Sequence, residues 1–424
     1  MRRVVLQIVT LAILGCICIA AEACGQDSTA RPAGGFDYPR PTGGFQVGTS
    51  YLFLEDSTRL DTFSEDPEDY RWISIRVWYP ASPPPDATPA PYGDDEFNRL
   101  MVEEGMFDST YLDEVALRPS ASFRDVPFAS QGAPWPILIF SSSGVMTANV
   151  FLSEELASHG YVVFAVGHPY WCEFYFDGEG ELFFLDKSNR HYTAMWEEED
   201  ATSTIDTKAQ ITRSTDVEEK MALFRELNRL MPTEVADLAL WSGDVEFLID
   251  RLVELNTSEG LYRDRLDTDR IGVLGYSKGG ANAGQLSATS NRVRAGVNLG
   301  GFMFGGVVGH DLEKPFMILD HVEPWCRECP PINLCFFQRS RADAYVLQID
   351  GANHATFTDL PLLRAHIVPD GIVSELDGKR SASIINSYLL AFFDTYVKGL
   401  PRASILDELP SRFDEVRYMK RTQH

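Results

Sequence analysis

Ile271-Gly272-Val273-Leu274-Gly275-Tyr276-Ser277-Lys278-Gly279-Gly280 is the stretch from which the rest of the chain is read. Its first four residues are wholly apolar and read as a short buried strand. The next five have the form Gly-x-Ser-x-Gly. That spacing belongs to a strand-to-helix turn too sharp for side chains at the flanking positions, which pushes the serine into a strained backbone with its hydroxyl exposed. Gly280, Ala281, Ala283 and Gly284 then let a helix pack close to the sheet. A bare Gly-x-Ser-x-Gly also occurs in plain glycine-rich turns; the strand before it and the small-residue helix after it select the nucleophile reading for Ser277.

Working outward, the same strand–helix rhythm recurs. Upstream, Ile137-Leu138-Ile139-Phe140 is apolar throughout and ends in Ser141-Ser142-Ser143-Gly144, a helix through Leu152, Leu156 and Ala157 closes at Gly160, and Tyr161 to Val166 is another apolar run. Downstream, Val293–Leu299, Phe316–Leu319 and Ala344–Ile349 read as strands, and a last helix spans about Ser381–Val397. Strands apolar on both faces and separated by helices imply a mostly parallel sheet with helices on both faces. With the serine turn, this predicts an α/β-hydrolase fold. Two earlier strands, Tyr51–Leu54 and Trp72–Tyr79, precede a proline-rich run and forty residues expected as a helical excursion. Residues 171–232, rich in aromatics and acids, read as a lid-like insertion. The expected organisation is a signal peptide over 1–23, a flexible tail over 24–45 and one hydrolase domain over 46–424.

A serine hydroxyl needs a base. Chain order in this fold places it after the last strand, where Ile349-Asp350-Gly351-Ala352-Asn353-His354 supplies strand, glycine turn and His354. The oxyanion needs two backbone donors, expected from Lys278 and from Gly144; the Lys278 side chain is expected to be solvated. The acid should follow a strand between Ser277 and His354. The turn after Leu299 is Gly300-Gly301 and has none, whereas the turn after Leu319 reads Asp320-His321-Val322-Glu323. Asp320 is the preferred acid and Glu323 the alternative.

Composition bounds the partners. A formal charge of −25 over 424 residues excludes a basic nucleic-acid face. Arg2 and Arg3 ahead of an apolar stretch to Ala21, then Ala21-Glu22-Ala23, form a secretory signal pattern. A lipoprotein anchor at Cys16 is the weaker alternative. In an oxidising compartment, the Cys326, Cys329 and Cys335 cluster reads as at least one disulfide, with Cys172 a further partner, rather than a zinc site lacking its fourth ligand. No metal or cofactor is expected, and no pattern specifies an oligomeric state.

Several separated segments resemble the platelet-activating-factor acetylhydrolase family, the plasma and intracellular type II group. They are Gly43–Gly48 with Arg76–Pro80, Phe140-Ser141, Leu156–Val163 with Gly167-His168, Gly275–Gly280, and Gly351–His354. The resemblance implies metal-free hydrolysis of carboxylic esters, often short acyl groups on phospholipids, and contact with a lipid surface. The chain departs from the family at Ser142-Ser143, where the family has a histidine-glycine oxyanion turn, and at Gly300, where the family has its acid. An amidase on the same fold, or a binding protein on a hydrolase scaffold, are the rival readings.

Overall fold

The computed structural model describes residues 39–64, 66–93, 117–142, 149–169, 174–176, 182–184, 188–322, 328–363, 374, 376–408 and 411–422. Its strands are β1 (Gln46–Leu60), β2 (Tyr70–Ala81), β3 (Pro89–Pro91), β4 (Pro119–Arg124), β5 (Trp135–Ser142), β6 (Val162–Gly167), β7 (Phe174–Phe176), β8 (Leu182–Phe184), β9 (Leu266–Tyr276), β10 (Ala295–Leu299), β11 (Phe316–His321), β12 (Ala344–Ile349) and β13 (Val416–Arg421). All but the β7–β8 hairpin join one sheet, in the order β13-β12-β11-β10-β9-β5-β6-β2-β1-β4-β3. The six central strands, β6 to β12 in that order, run parallel. β2 and β13 close the parallel block antiparallel on either side.

The helices are α1 (Val150–Ser158), α2 (Arg190–Asp200), α3 (Thr202–Arg213), α4 (Val217–Leu230), α5 (Pro232–Thr257), α6 (Lys278–Thr289), α7 (Leu334–Arg339) and α8 (Gly378–Tyr396). Side-chain alternation sends the strands' apolar residues to both faces. Leu138, Phe140, Val163, Leu274 and Leu319 pack with α1 and α8 through Leu156, Tyr388 and Phe392. Ile137, Ile139, Val162, Ile271 and Val273 meet Val245, Leu248 and Ile249 of α5 and Leu286 of α6 on the other. The three helices α2, α3 and α4 lie between β6 and α5 in sequence. Ile211, Met221 and Phe224 from α3 and α4 cover Phe316, Ile318 and Val346, beyond α6 on that second face. This is the α/β-hydrolase arrangement: a parallel sheet whose strand ends carry loops onto one edge.

Two expectations are corrected. The stretch after the proline run contains a strand in its described part: β4 pairs parallel with β1 and antiparallel with β3, which is the end of the proline run itself. The end of the expected tail is docked. Thr42 donates its N–H to Glu155 at 2.8 Å, and Phe45 donates to the Ser158 carbonyl at 3.0 Å, so this strand lead-in satisfies the C-terminal turn of α1. The signal region lies outside the described residues.

The N-terminus of α1 is satisfied from a distant loop. Asn149 makes no side-chain cap; instead Asp359 accepts the Phe151 N–H at 3.1 Å and the Tyr92 hydroxyl at 2.9 Å. Burial, opposed by those two donors, pushes the Asp359 carboxyl up to about 7. A folded value above the unfolded one means its stabilising effect is full below about pH 4 and is lost as pH rises through about 7. Asp359→Asn keeps an acceptor without the charge. It should narrow the difference in melting temperature between pH 5 and pH 8, recovering up to about 4 kcal/mol at the alkaline end. Calorimetry at the two pH values checks this; an unchanged difference would show that Asp359 carries no such penalty.

Candidate active site

The backbone around Ser277 explains its two flanking glycines. A Cβ on Gly275 would strike the Gly279 carbonyl, and one on Gly279 would strike the carbonyl of Ser141. Ser277 sits at φ 57° and ψ −121°, in the left-handed half of the map, as the cap residue of α6. Such a conformation costs about 1–3 kcal/mol and persists only when its surroundings hold it. Here the Ser277 N–H donates to the Leu299 carbonyl of β10 at 3.0 Å, and its carbonyl accepts from Gly280 at 2.9 Å. The turn is therefore tied to the neighbouring strand and to its own helix.

His354 arrives from the other side. β12 ends at Ile349, Gly351 turns the chain at φ 77°, and Asn353 caps a short 3₁₀ turn. The Asn353 N–H donates to Thr356 Oγ1 at 2.9 Å, and the Thr356 hydroxyl donates to Asn353 Oδ1 at 3.2 Å. These bonds shape the turn that carries the imidazole. Its ring lies 4.8 Å from that of Tyr276, the residue before Ser277.

Gly300 occupies the place where an acid after β10 would stand. A Cβ there would lie 3.4 Å from His354 Nδ1, which faces this position, but only 2.8 Å from Phe357 Cδ2. The Phe357 ring has closed the space. Asp320 lies one strand over. The Leu319 carbonyl just before it accepts the Gly300 N–H at 2.8 Å. Its buried carboxylate accepts the N–H of His321 at 2.9 Å and of Ile332 at 3.2 Å. The His321 ring stands 6.2 Å from that of His354. Glu323 and Gly144 lie outside the described residues. Ser277 and His354 are thus brought to one edge, and Asp320 to the strand end beside Gly300.

Lys278 departs from expectation. Its amide is in the first turn of α6, but its side chain is only 7% exposed and ion-paired to Glu234, at 2.6 Å, and Asp237 of α5. Sequence reading also missed a buried hydrogen-bond chain beneath the site. His168 Nδ1 meets Asp244 at 2.9 Å, His168 Nε2 meets Ser141 Oγ at 3.3 Å, and Asn282 of α6 donates to the same hydroxyl at 3.0 Å. Asp244 is held in turn by Arg71 at 2.9 Å. Burial opposes the Asp244 charge, but Arg71 and His168 outweigh it and hold the carboxyl far below its usual range. Burial keeps His168 below its usual value, and Asp244 then selects the tautomer with its proton on Nδ1. The only local signal was Gly167-His168; nothing near Asp244 marks it.

Lys220 of α4 donates to the carbonyls of Ile211 at 2.5 Å and Ile332 at 3.3 Å, bracing the loop that binds Asp320. Burial pushes it down to about 8. Cys335 on α7 is a buried free thiol, so it takes no part in the expected bridge; Cys329 is disulfide-bonded, to a partner outside the described residues. Burial raises the Cys335 thiol to about 11. A thiol reagent should therefore fail to modify Cys335 in the folded chain and modify it on unfolding without reductant. Rapid native labelling of Cys335, read by peptide mapping, would contradict its burial. Among the described residues, no three His, Cys, Asp or Glu side chains are grouped to hold a metal ion.

Comparison with known proteins supplies the family and supports the fold. Residues 110–403 match the family described as platelet-activating factor acetylhydrolase, isoform II. The chain is 24% identical over 278 residues to a platelet-activating factor acetylhydrolase of Bos taurus and 22% identical over 278 residues to that of Cavia porcellus. Each alignment covers 63% of this chain and 58% of the relative, so the match spans somewhat over half the relatives' length. The solved ferulic acid esterase from Streptomyces cinnamoneus superposes with a TM-score of 0.67 at 23% identity, over 91% of this chain and 100% of that one. That likeness is one of fold.

Proposed function

The chain belongs to the platelet-activating factor acetylhydrolase, isoform II family, and on that premise we propose that it is a secreted serine esterase cleaving short-chain or phospholipid-like carboxylic esters. The observation that carries the reading is Ser277, held at φ 57° in a strand-to-helix turn with the His354 ring against its neighbour Tyr276. Backbone strain of this kind is maintained where it presents a group for chemistry.

In the proposed reaction, Ser277 Oγ attacks the ester carbonyl carbon as His354 takes its proton. The tetrahedral oxyanion is received by the backbone N–H groups of Lys278 and Gly144, at the positive end of α6. Collapse breaks the acyl–oxygen bond, and His354 passes the proton to the departing alcohol. Water then attacks the acyl-enzyme by the same route in reverse, releasing the acid and restoring Ser277. Asp320 is the proposed acid that orients the imidazole. The reaction needs no cofactor. The helices α2 to α4, together with the β7–β8 hairpin, are the proposed lid that shapes the acyl pocket. The N-terminal apolar stretch is the proposed export signal.

Turnover of a p-nitrophenyl ester series from acetate to palmitate tests the activity and places the acyl length. We expect the highest kcat/KM at the short end. Turnover of p-nitroanilides in preference to every ester would replace the reading with an amidase.

A further inference from the structure

The reaction above uses only the backbone of Lys278, yet the side chain has a built environment of its own. It leaves the first turn of α6 and enters the layer made by α2 and α5. Its Nζ lies 2.6 Å from Glu234 Oε2, within hydrogen-bond reach of Asp237 Oδ2, 4.0 Å from Met195 Sδ of α2 and 5.2 Å from the centre of the Trp241 ring. Both carboxylates are buried, and both come from the first two turns of α5. The start of α5 is in turn held by α2, because Glu198 accepts the Thr233 N–H at 3.0 Å and the Thr233 hydroxyl at 2.6 Å. A continuous chain of polar contacts thus runs from α2, through the N-terminus of α5, to the residue after Ser277.

We propose that Lys278 is a positioning residue: anchored by Glu234 and Asp237, its side chain fixes the backbone N–H that receives the oxyanion and ties that N–H to helix α2 of the lid. This rests on the serine-esterase reading. Buried ion clusters are often no more stabilising than apolar side chains of the same volume. Between Met195 and Trp241, a methionine would pack well at position 278. What an apolar residue would lack is a fixed direction. An oxyanion donor contributes only when it is already aimed, and a small misplacement is costly in rate. Two carboxylates on one rigid helix give the ammonium, and hence the first turn of α6, a single position.

The cluster also has a charge state. Glu234 is faced by Lys278 from α6, by Asp237 on its own helix and by Glu199 from α2, with Glu198 at the α5 terminus. Burial, reinforced by Glu199 and Asp237 and opposed by Lys278, pushes its carboxyl up to about 7. Ionisation of Glu234 as pH rises through that value adds a negative charge beside the helix end where a second anion must develop. Turnover should therefore show an alkaline decline set by Glu234.

The test compares wild type with Lys278→Met/Glu234→Gln/Asp237→Asn, which removes the ion cluster without stranding a buried charge. With the p-nitrophenyl ester that wild type turns over best, we expect the triple variant to lose at least about tenfold in kcat while KM stays within about threefold. Fluorophosphonate should still label it stoichiometrically. Lys278→Arg, which keeps the charge, should recover part of the loss. Glu234→Gln alone should abolish the alkaline decline, a readout that a packing role would not move, and it decides the matter if the triple variant does not fold. An active, labelled wild type whose triple variant keeps its kcat, or whose Glu234→Gln profile is unchanged, overturns the proposal alone. A wild type that neither turns over esters nor is labelled overturns the serine-esterase reading with it.

Discussion

A fluorophosphonate will label the purified chain once, at Ser277, and Ser277→Ala will neither be labelled nor turn over esters above about 10⁻⁴ of wild type. The magnitude follows from the way triad members act together: removing one typically forfeits about 10⁴–10⁶ in turnover, leaving what binding and the oxyanion donors supply. The structural reason is the φ of 57° at Ser277, held by the Leu299 carbonyl of β10 and by clearances at Gly275 and Gly279 that admit no side chain. His354→Ala should fall by a comparable factor while folding normally, since the capping bonds of the 3₁₀ turn that carries it are made by Asn353 and Thr356. Labelling of Ser277→Ala at another residue, found by peptide mass, would move the nucleophile elsewhere. Near-normal turnover in His354→Ala would remove the base.

Asp320→Asn should lower kcat by at least about a hundredfold, with Glu323→Gln staying within about tenfold. An amide keeps the shape of the carboxyl but favours the wrong imidazole tautomer, which is what makes the substitution so costly when the residue is the true acid. Gly300 stands where an acid after β10 would be. A Cβ at Gly300 would lie 2.8 Å from Phe357, so a side chain there would require that ring to shift, although His354 Nδ1 faces that place. Asp320 ends the adjoining strand, beside the Leu319 carbonyl that holds Gly300. Its carboxylate is kept in place by two backbone N–H groups, and Lys220 steadies the loop that provides one of them. Both variants are compared by kcat on one ester, with circular dichroism to confirm folding. The reverse ranking assigns the role to Glu323, and full activity in both places the acid outside this turn.

These two expectations differ in how much sequence alone stands behind them. Ser277 and His354 were legible because each lies in a contiguous pattern of strand, glycine turn and reactive residue, and the constraint acts within a few residues. Asp320 was legible only as a position after a strand. A strand end fixes which edge a side chain reaches, but its partners are set by other segments, here Ile332 and, through it, Lys220.

The amino-acid sequence by itself determined the parallel sheet, its helices and the two turns that present Ser277 and His354, because two-face apolar runs and sharp glycine turns are local properties of the chain. Tertiary structure alone decided the rest. It buried Lys278 between Glu234 and Asp237, which local pattern had left in solvent. It docked residues 42–45 on α1 and added β4 beside β1. It linked His168 to Asp244, 76 positions away, and Asn282 to Ser141, 141 positions away, beneath the turn that carries the serine. Buried polar groups must find partners wherever the fold brings them. Those partners come from distant segments, so no local periodicity announces them.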